Sequence, residues 1–262
     1  METYDEIVLR RIGYVLFLIV LFFHLFNIGG SNAETMNTAP ETRTIMTFGK
    51  YEQDNNPANG PEDIEWIVLK EQDGKLLLLS RYGLDAVPYN EKNTDVTWEN
   101  CSLRTWMNND FLAAAFSPEE QAAILVTNVE NGPEQGRRSG IPGGADTQDR
   151  LFLLSYREAF ALYLIGNGKR MCAPTDNAAA HGAYHWDDYM TDDRPGGTWW
   201  LRSPGKTQAK ALIVDYDGGL MSSDIRLKNH AVRPALWLDP AADGQGFRAA
   251  GKELPETCMP EI

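Results

Sequence analysis

The spacing of apolar and polar positions along residues 45–238 changes several times, and each change predicts an element. Residues 45–48 and 64–70 read as strands, with the polar stretch 53–60 as the loop between them. Asp73-Gly74 signals a type I′ hairpin turn, because both central positions need a positive φ that Asp tolerates and Gly adopts freely. Residues 76–79 (LLLL) supply the return strand, apolar on both faces and therefore expected in the core. From Ser102 the period becomes helical. Leu103, Trp106, Met107, Phe111, Ala114 and Ala115 take one side, and Arg104, Thr105, Asn108 and Asn109 the other. Asn100 or Ser102 is placed to cap that helix. Ser117-Pro118-Glu119-Glu120 starts a second one, with a capping serine, proline at the first helical position and glutamate three residues after the cap. Residues 131–147, rich in glycine and charge, read as an exposed loop. Residues 151–154 read as another buried strand, after which Ser155 and Glu158 form a capping box for a helix reaching Leu164.

Residues 166–197 are the longest stretch without clear periodicity, and a loop of that length in a compact domain is often functional. The block that follows, residues 198–238, contains TWWLRSPG, a segment running into an Asp217-Gly218-Gly219 turn, and VRPALWL. These read as closing strands. Strands, then helices, then strands again indicate one α+β domain over residues 45–239, with residues 240–262 as a flexible tail.

The N-terminus carries Arg10 and Arg11, an apolar run over residues 12–23 broken at His24, and the small residues Ser31-Asn32-Ala33. Those are the parts of a secretory signal peptide, residues 1–33, or of an uncleaved signal anchor. The uninterrupted run falls short of the roughly 20 apolar residues of a comfortable span. Residues 34–44 read as a polar linker. Both alternatives export the rest of the chain, as a secreted or cell-surface protein that meets the membrane only through this segment. The formal net charge is −13, of which Glu2, Asp5, Glu6, Arg10 and Arg11 contribute −1, leaving −12 on the exported part. That balance argues against nucleic acid or anionic lipid as a partner. Three cysteines, Cys101, Cys172 and Cys258, are too few for a disulfide framework and lack zinc spacing; a Cys172–Cys258 bridge and three free thiols both remain open. The chain has no GxSxG, HExxH or P-loop.

The blocks FGKY, DIEWIVL, LLLLSRYGLD, PYN, WENCSLRTWMNNDFLAAAF, FLLSYREA, WWLRSPG and VRPALWL occur in that order. Together they resemble a family of exported domains of unknown function from gut-type Firmicutes, over about residues 45–238. The closing block also resembles the end of the formylglycine-generating-enzyme-like and fibrobacter-paralogue domains. That second resemblance implies a single C-type-lectin-like domain: a small, twisted, mainly antiparallel sheet, two or three short helices, and a long irregular region facing a ligand. The formylglycine-generating enzymes depend on a cysteine pair near the C-terminal end of the domain. Here only Cys172 and Cys258 follow the helices, in no matching context, which disfavours that oxidase chemistry.

The densest candidate chemistry lies just before the closing block. Asp187, Asp188, Asp192 and Asp193 place four carboxylates within seven residues, an oxygen-rich set that could take calcium, although EF-hand spacing is missing. His185, Trp186 and Tyr189 accompany them, and an exposed Trp or Tyr can stack on a sugar face. In the Trp199-Trp200 pair one ring points away from the other, to be covered by the long loop or offered to a ligand. Arg202 and Arg233 either bridge carboxylates such as Glu65, Asp85 or Asp215, or hold an anion at the mouth of a pocket. His230, near Asp215 and Asp217, reads as a surface turn histidine with no accompanying nucleophile. The resulting expectation is a non-catalytic exported module for a glycan or other extracellular ligand, with His185, Trp186, Tyr189, Trp199, Arg202 and Arg233 at the site. No cofactor is expected beyond the calcium alternative. An enzyme of the formylglycine-generating-enzyme-like group with diverged chemistry, or a purely structural surface domain, are the alternatives.

Overall fold

A computed structural model describes residues 43–137, 140–242 and 253–254. The leader, most of the linker and Cys258 lie outside the described residues. In chain order the strands begin with β1 (Arg43–Tyr51), β2 (Glu62–Gln72), β3 (Lys75–Ser80) and β4 (Asp85–Ala86). Next come β5 (Thr127–Val129), β6 (Thr147–Asp149), β7 (His185–Thr191) and β8 (Arg194–Gly197). The last are β9 (Trp199–Pro204), β10 (Lys210–Val214), β11 (Leu220–Asp224), β12 (Ala231–Val232), β13 (Ala235–Leu238) and β14 (Glu253–Leu254). The fold is α+β, mostly sheet with short helices, as its segment order implies. The sheet is not single. One five-stranded sheet runs β13-β3-β2-β1-β14 and a second runs β11-β10-β9-β12-β4, with separate β5–β6 and β7–β8 ribbons. All of these pairs are antiparallel except β9–β12.

The expected hairpin joins β2 to β3 through Asp73 (φ 52°) and Gly74 (φ 72°), the two positive values a type I′ turn needs. In β1 the pairing with β2 shifts between Thr47 and Lys50, and Gly49 sits there at φ 70°. A Cβ on Gly49 would lie 2.5 Å from the Phe116 ring, so this bulge lets the ring press onto the backbone. Trp66 buries its ring beside it and donates Nε1–H to the Phe48 carbonyl at 2.7 Å.

The helical period at Ser102 is real, but its cap is Cys101, whose Sγ accepts from the Arg104 amide. The helix Ser102–Trp106 passes through a wide π turn, Met107–Phe111, into Leu112–Ala115. Asn108, expected on the solvent side, is a clamp. Its Nδ2 donates to the Leu151 carbonyl at 2.8 Å, and its Oδ1 accepts from the amides of Arg150 and Leu151. This clamp and one bridge from Phe152 to Ala235 hold residues 151–154 extended and buried, without a ladder of their own. The Ser117–Glu120 and Ser155–Glu158 boxes both form.

VRPALWL does not run as one strand. Val232 ends β12 in the second sheet, and after Pro234 the chain pairs with β3 in the first. Arg233 occupies this seam, donating to the Ser80 carbonyl at 2.9 Å. One hydrophobic cluster contains Trp66, Trp98, Trp199, Trp200 and Phe111 and spans both sheets. Burying rings of this size supplies on the order of 200 Å² each of apolar contact. Of the segment expected as tail, Glu253–Leu254 pairs with the start of β1. No helix among the described residues is long and apolar enough to cross a membrane.

Candidate functional site

The stretch 166–197 is not an irregular loop. It contains two helical turns, Asn167–Arg170 and Asp176–Ala180, followed by the β7–β8 hairpin. Thr175 caps the second turn through its hydroxyl, which accepts from the Ala178 amide. The hairpin reverses on Asp192 (φ 52°) and Asp193 (φ 60°), a type I′ turn built without glycine. Asp192 also accepts from Arg81 Nε at 3.1 Å, tying the hairpin tip to the end of β3. Opposite His185 and Trp186 stand Gly197 and Gly196. A Cβ on Gly196 would lie 2.8 Å from the Tyr216 carbonyl, and one on Gly197 would lie 2.7 Å from the Tyr184 carbonyl. Only glycine lets the ribbon lie this close to the β10–β11 turn.

That close approach assembles an aromatic face. Trp186 stacks on Tyr216 with centroids 5.3 Å apart and an interplanar angle of 27°. Tyr189 meets Tyr216 at 4.9 Å, and Tyr184 meets Trp186 edge-on at 6.2 Å. Trp186 is 42% exposed, and Tyr184 and Met190 are exposed beside it. The indole is held in place by its own strand, since Nε1–H donates to Asp188 Oδ2 at 3.0 Å. Carboxylates border this face. Burial among its neighbours, then the negative charges of Asp215 and Asp217, raise the Tyr216 phenol above its ordinary value, and burial raises Asp215 as well.

Of the residues singled out from the sequence, His185, Trp186 and Tyr189 therefore lie on one ribbon, with Trp186 and Tyr189 both against Tyr216. Trp199, Arg202 and Arg233 do not join them. Both rings of the tryptophan pair are fully buried, because β9 lies between β10 and β12 and is covered on both faces. Trp199 donates Nε1–H to the Arg170 carbonyl at 3.0 Å, and Trp200 donates to the Val87 carbonyl at 3.1 Å. Arg202 pairs with Glu158, not with Glu65, Asp85 or Asp215, and also donates to the carbonyls of Leu153 and Glu130. Arg233 is 1% exposed and has no carboxylate partner among the described residues; the carbonyls of Ser80 and Arg81 accept from its guanidinium, which lies 4.8 Å from the Trp199 ring. Burial pulls it below its ordinary value. His230 is buried rather than at the surface, held by Thr198 and Ser223 instead of Asp215 and Asp217.

The aspartates also separate. Asp187 and Asp188 are exposed on β7 while Asp192 and Asp193 form the turn, and no three of the four bring oxygens within 4.8 Å of one another. Among the described residues that spacing is met by Glu52 and Asp54 in the β1–β2 loop and Glu62 at the start of β2. There the carboxylates accept from the loop amides of Gln53 and Asn56.

Two features had no sequence signal. Tyr216 lies between two aspartates at a turn and joins the aromatic face only through tertiary packing. Asp85, offered above as an arginine partner, instead accepts from Tyr51 Oη at 2.5 Å and holds His181 Nδ1 at 2.6 Å. Burial, then the Asp85 charge, hold the proton on Tyr51 and raise that phenol. The His181 side chain is 52% exposed while its Asp85 partner is buried.

The family model described as a domain of unknown function, DUF6273, matches residues 73–240, from the β2–β3 turn to just past β13 and including the β7–β8 ribbon. Neither the curated proteins nor the solved structures give a match to the chain.

Proposed function

We propose that this chain, which belongs to the DUF6273 family, is an exported binding module whose ligand, a glycan or another extracellular surface molecule, lies on the aromatic face of the β7–β8 ribbon. The observation that carries this reading is the Trp186–Tyr216 stack with Tyr184 and Tyr189 around it, exposed and oriented by the Trp186–Asp188 hydrogen bond. Large aromatic rings normally go to the core, and the other tryptophans here are buried or partly buried. A rigid, solvent-facing indole backed by a second ring suits the apolar face of a sugar, and an exposed aromatic patch rimmed by polar groups is the kind of surface that marks a binding site. The C-type-lectin-like arrangement is the fold analogy this reading adopts, with its ligand face in the region before the closing strands.

Enzymes of the formylglycine-generating type are the poorer reading. Cys101 and Cys172 are buried and unpaired, and burial raises both thiols, Cys101 to about 12. Neither is poised as a thiolate. A catalytic alternative with its own observation is the Tyr51–Asp85–His181 chain, in which a buried carboxylate orients an exposed imidazole as a general base requires. Screening glycans and peptidoglycan fragments against wild type, Trp186→Ala and His181→Asn separates the two. Retention lost with Trp186→Ala alone supports the binding module. Retention unchanged in Trp186→Ala and Tyr216→Ala removes it, and turnover abolished by His181→Asn would favour the enzyme.

A further inference from the structure

Tyr216 occupies one face of the Trp186 indole, so a ligand stacking on Trp186 must approach from the other side. Beside the indole the surface forms a shallow hollow lined by His185, Trp186, Asp187 and Asp188, and Tyr216 is not among its lining residues. The Asp188 carboxylate is fixed at the indole rim, 3.0 Å from Nε1, while Asp187 is exposed with the His185 ring 3.7 Å away. No lysine or arginine among the described residues lines the hollow. Behind the stack, Asp215 and Asp217 flank Tyr216 in the chain, and their charge is felt at its phenol. An electron-rich indole face edged by two carboxylates attracts a cation twice over: by its quadrupole and by direct charge. It repels carboxylate- and sulfate-bearing glycans for the same reason.

We propose that the aromatic face selects a sugar bearing a free ammonium group, the chemical class of a de-N-acetylated hexosamine, over neutral, N-acetylated or acidic sugars. The apolar face of the pyranose lies on Trp186 and the ammonium turns to Asp188 and Asp187. This rests on the reading of that face as a glycan platform and adds the ligand's charge to it.

The test is calorimetric titration of the exported chain, slightly below neutral pH where the amine is charged, with oligomers of glucosamine, N-acetylglucosamine and glucose, and with spermine as a cation that is not a sugar. Glucosamine oligomers should bind about tenfold tighter than the other sugars, a preference that high salt erodes. Asp188→Asn keeps an oxygen for the Trp186 N–H and removes only the charge, so it should cut the preference severalfold, and Asp188→Asn with Asp187→Asn should abolish it while leaving weak sugar binding. Trp186→Ala should abolish binding altogether. Equal affinity for the glucosamine and N-acetylglucosamine oligomers would overturn the inference and leave the glycan platform standing. Spermine matching the glucosamine oligomers would overturn it as sugar recognition. Absence of binding to every oligomer would overturn both.

Discussion

Acidification should destabilise this protein through His230. The imidazole is buried, with Nδ1 2.7 Å from Thr198 Oγ1, Nε2 2.6 Å from Ser223 Oγ, and the ring edge-on to Trp200 at 4.5 Å. Thr198 Oγ1 also donates to the Asn229 carbonyl, which assigns the Nδ1–H to His230 and leaves Nε2 to accept from Ser223. Burial alone lowers the imidazole from 6.5 to about 4. The sign follows from linkage. Between these two values the unfolded chain binds a proton that the folded chain refuses, so the stability that depends on a neutral His230 declines as pH drops from about 6.5 and is mostly gone by about 4. At ~1.36 kcal/mol per pH unit the loss is about 3 kcal/mol. The assay is urea unfolding from neutral pH to pH 4 for wild type and His230→Gln, which cannot titrate but can donate and accept hydrogen bonds. Both proteins share every other titrating group, so the difference between their profiles isolates His230. The wild-type curve should fall about 3 kcal/mol further than the variant's across that window. Parallel curves would refute the reasoning.

Glu158→Gln leaves Arg202 buried with no carboxylate, and should cost about 3 kcal/mol in urea unfolding. Gly197→Ala places a Cβ 2.7 Å from the Tyr184 carbonyl and 2.8 Å from Pro174. It should cost about 1–3 kcal/mol and raise amide exchange within β7 and β8 ahead of the core strands. Gly74→Ala, at a φ of 72° in open space, should cost only about 1 kcal/mol by the same measurement and leave the aromatic face intact.

Local chemistry was legible in the sequence wherever a short pattern carries it alone. The Asp73-Gly74 turn, the Ser117 and Ser155 capping boxes and the helical period from Leu103 all form as their residues imply. What depends on partners distant in sequence was not. The helical turns Asn167–Arg170 and Asp176–Ala180 are too short to show a period. The β7–β8 hairpin reverses on two aspartates rather than the usual glycine-containing pair, so the sequence carries no turn signal there and two of its four clustered carboxylates form the turn. Pro234 interrupts what reads as one strand and sends its halves to different sheets. Alternation predicts one outward tryptophan at Trp199-Trp200; a central strand covered on both faces has no outward side. The site was half legible. Trp186 and Tyr189 stood out by type, whereas Tyr184 and Tyr216 join them only because Gly196 and Gly197 let the ribbon settle against the following turn.

Tryptophan fluorescence gives the most direct test of the aromatic face as the binding surface. Trp66, Trp98, Trp199 and Trp200 are buried and Trp106 and Trp237 partly so, while Trp186 is exposed. Acrylamide should therefore quench wild type chiefly through Trp186, and much less in Trp186→Phe. The account predicts that a bound glycan ligand lowers wild-type quenching toward the Trp186→Phe level and leaves the variant's quenching unchanged. A ligand that binds with full affinity and leaves Trp186 as quenchable as before would contradict it.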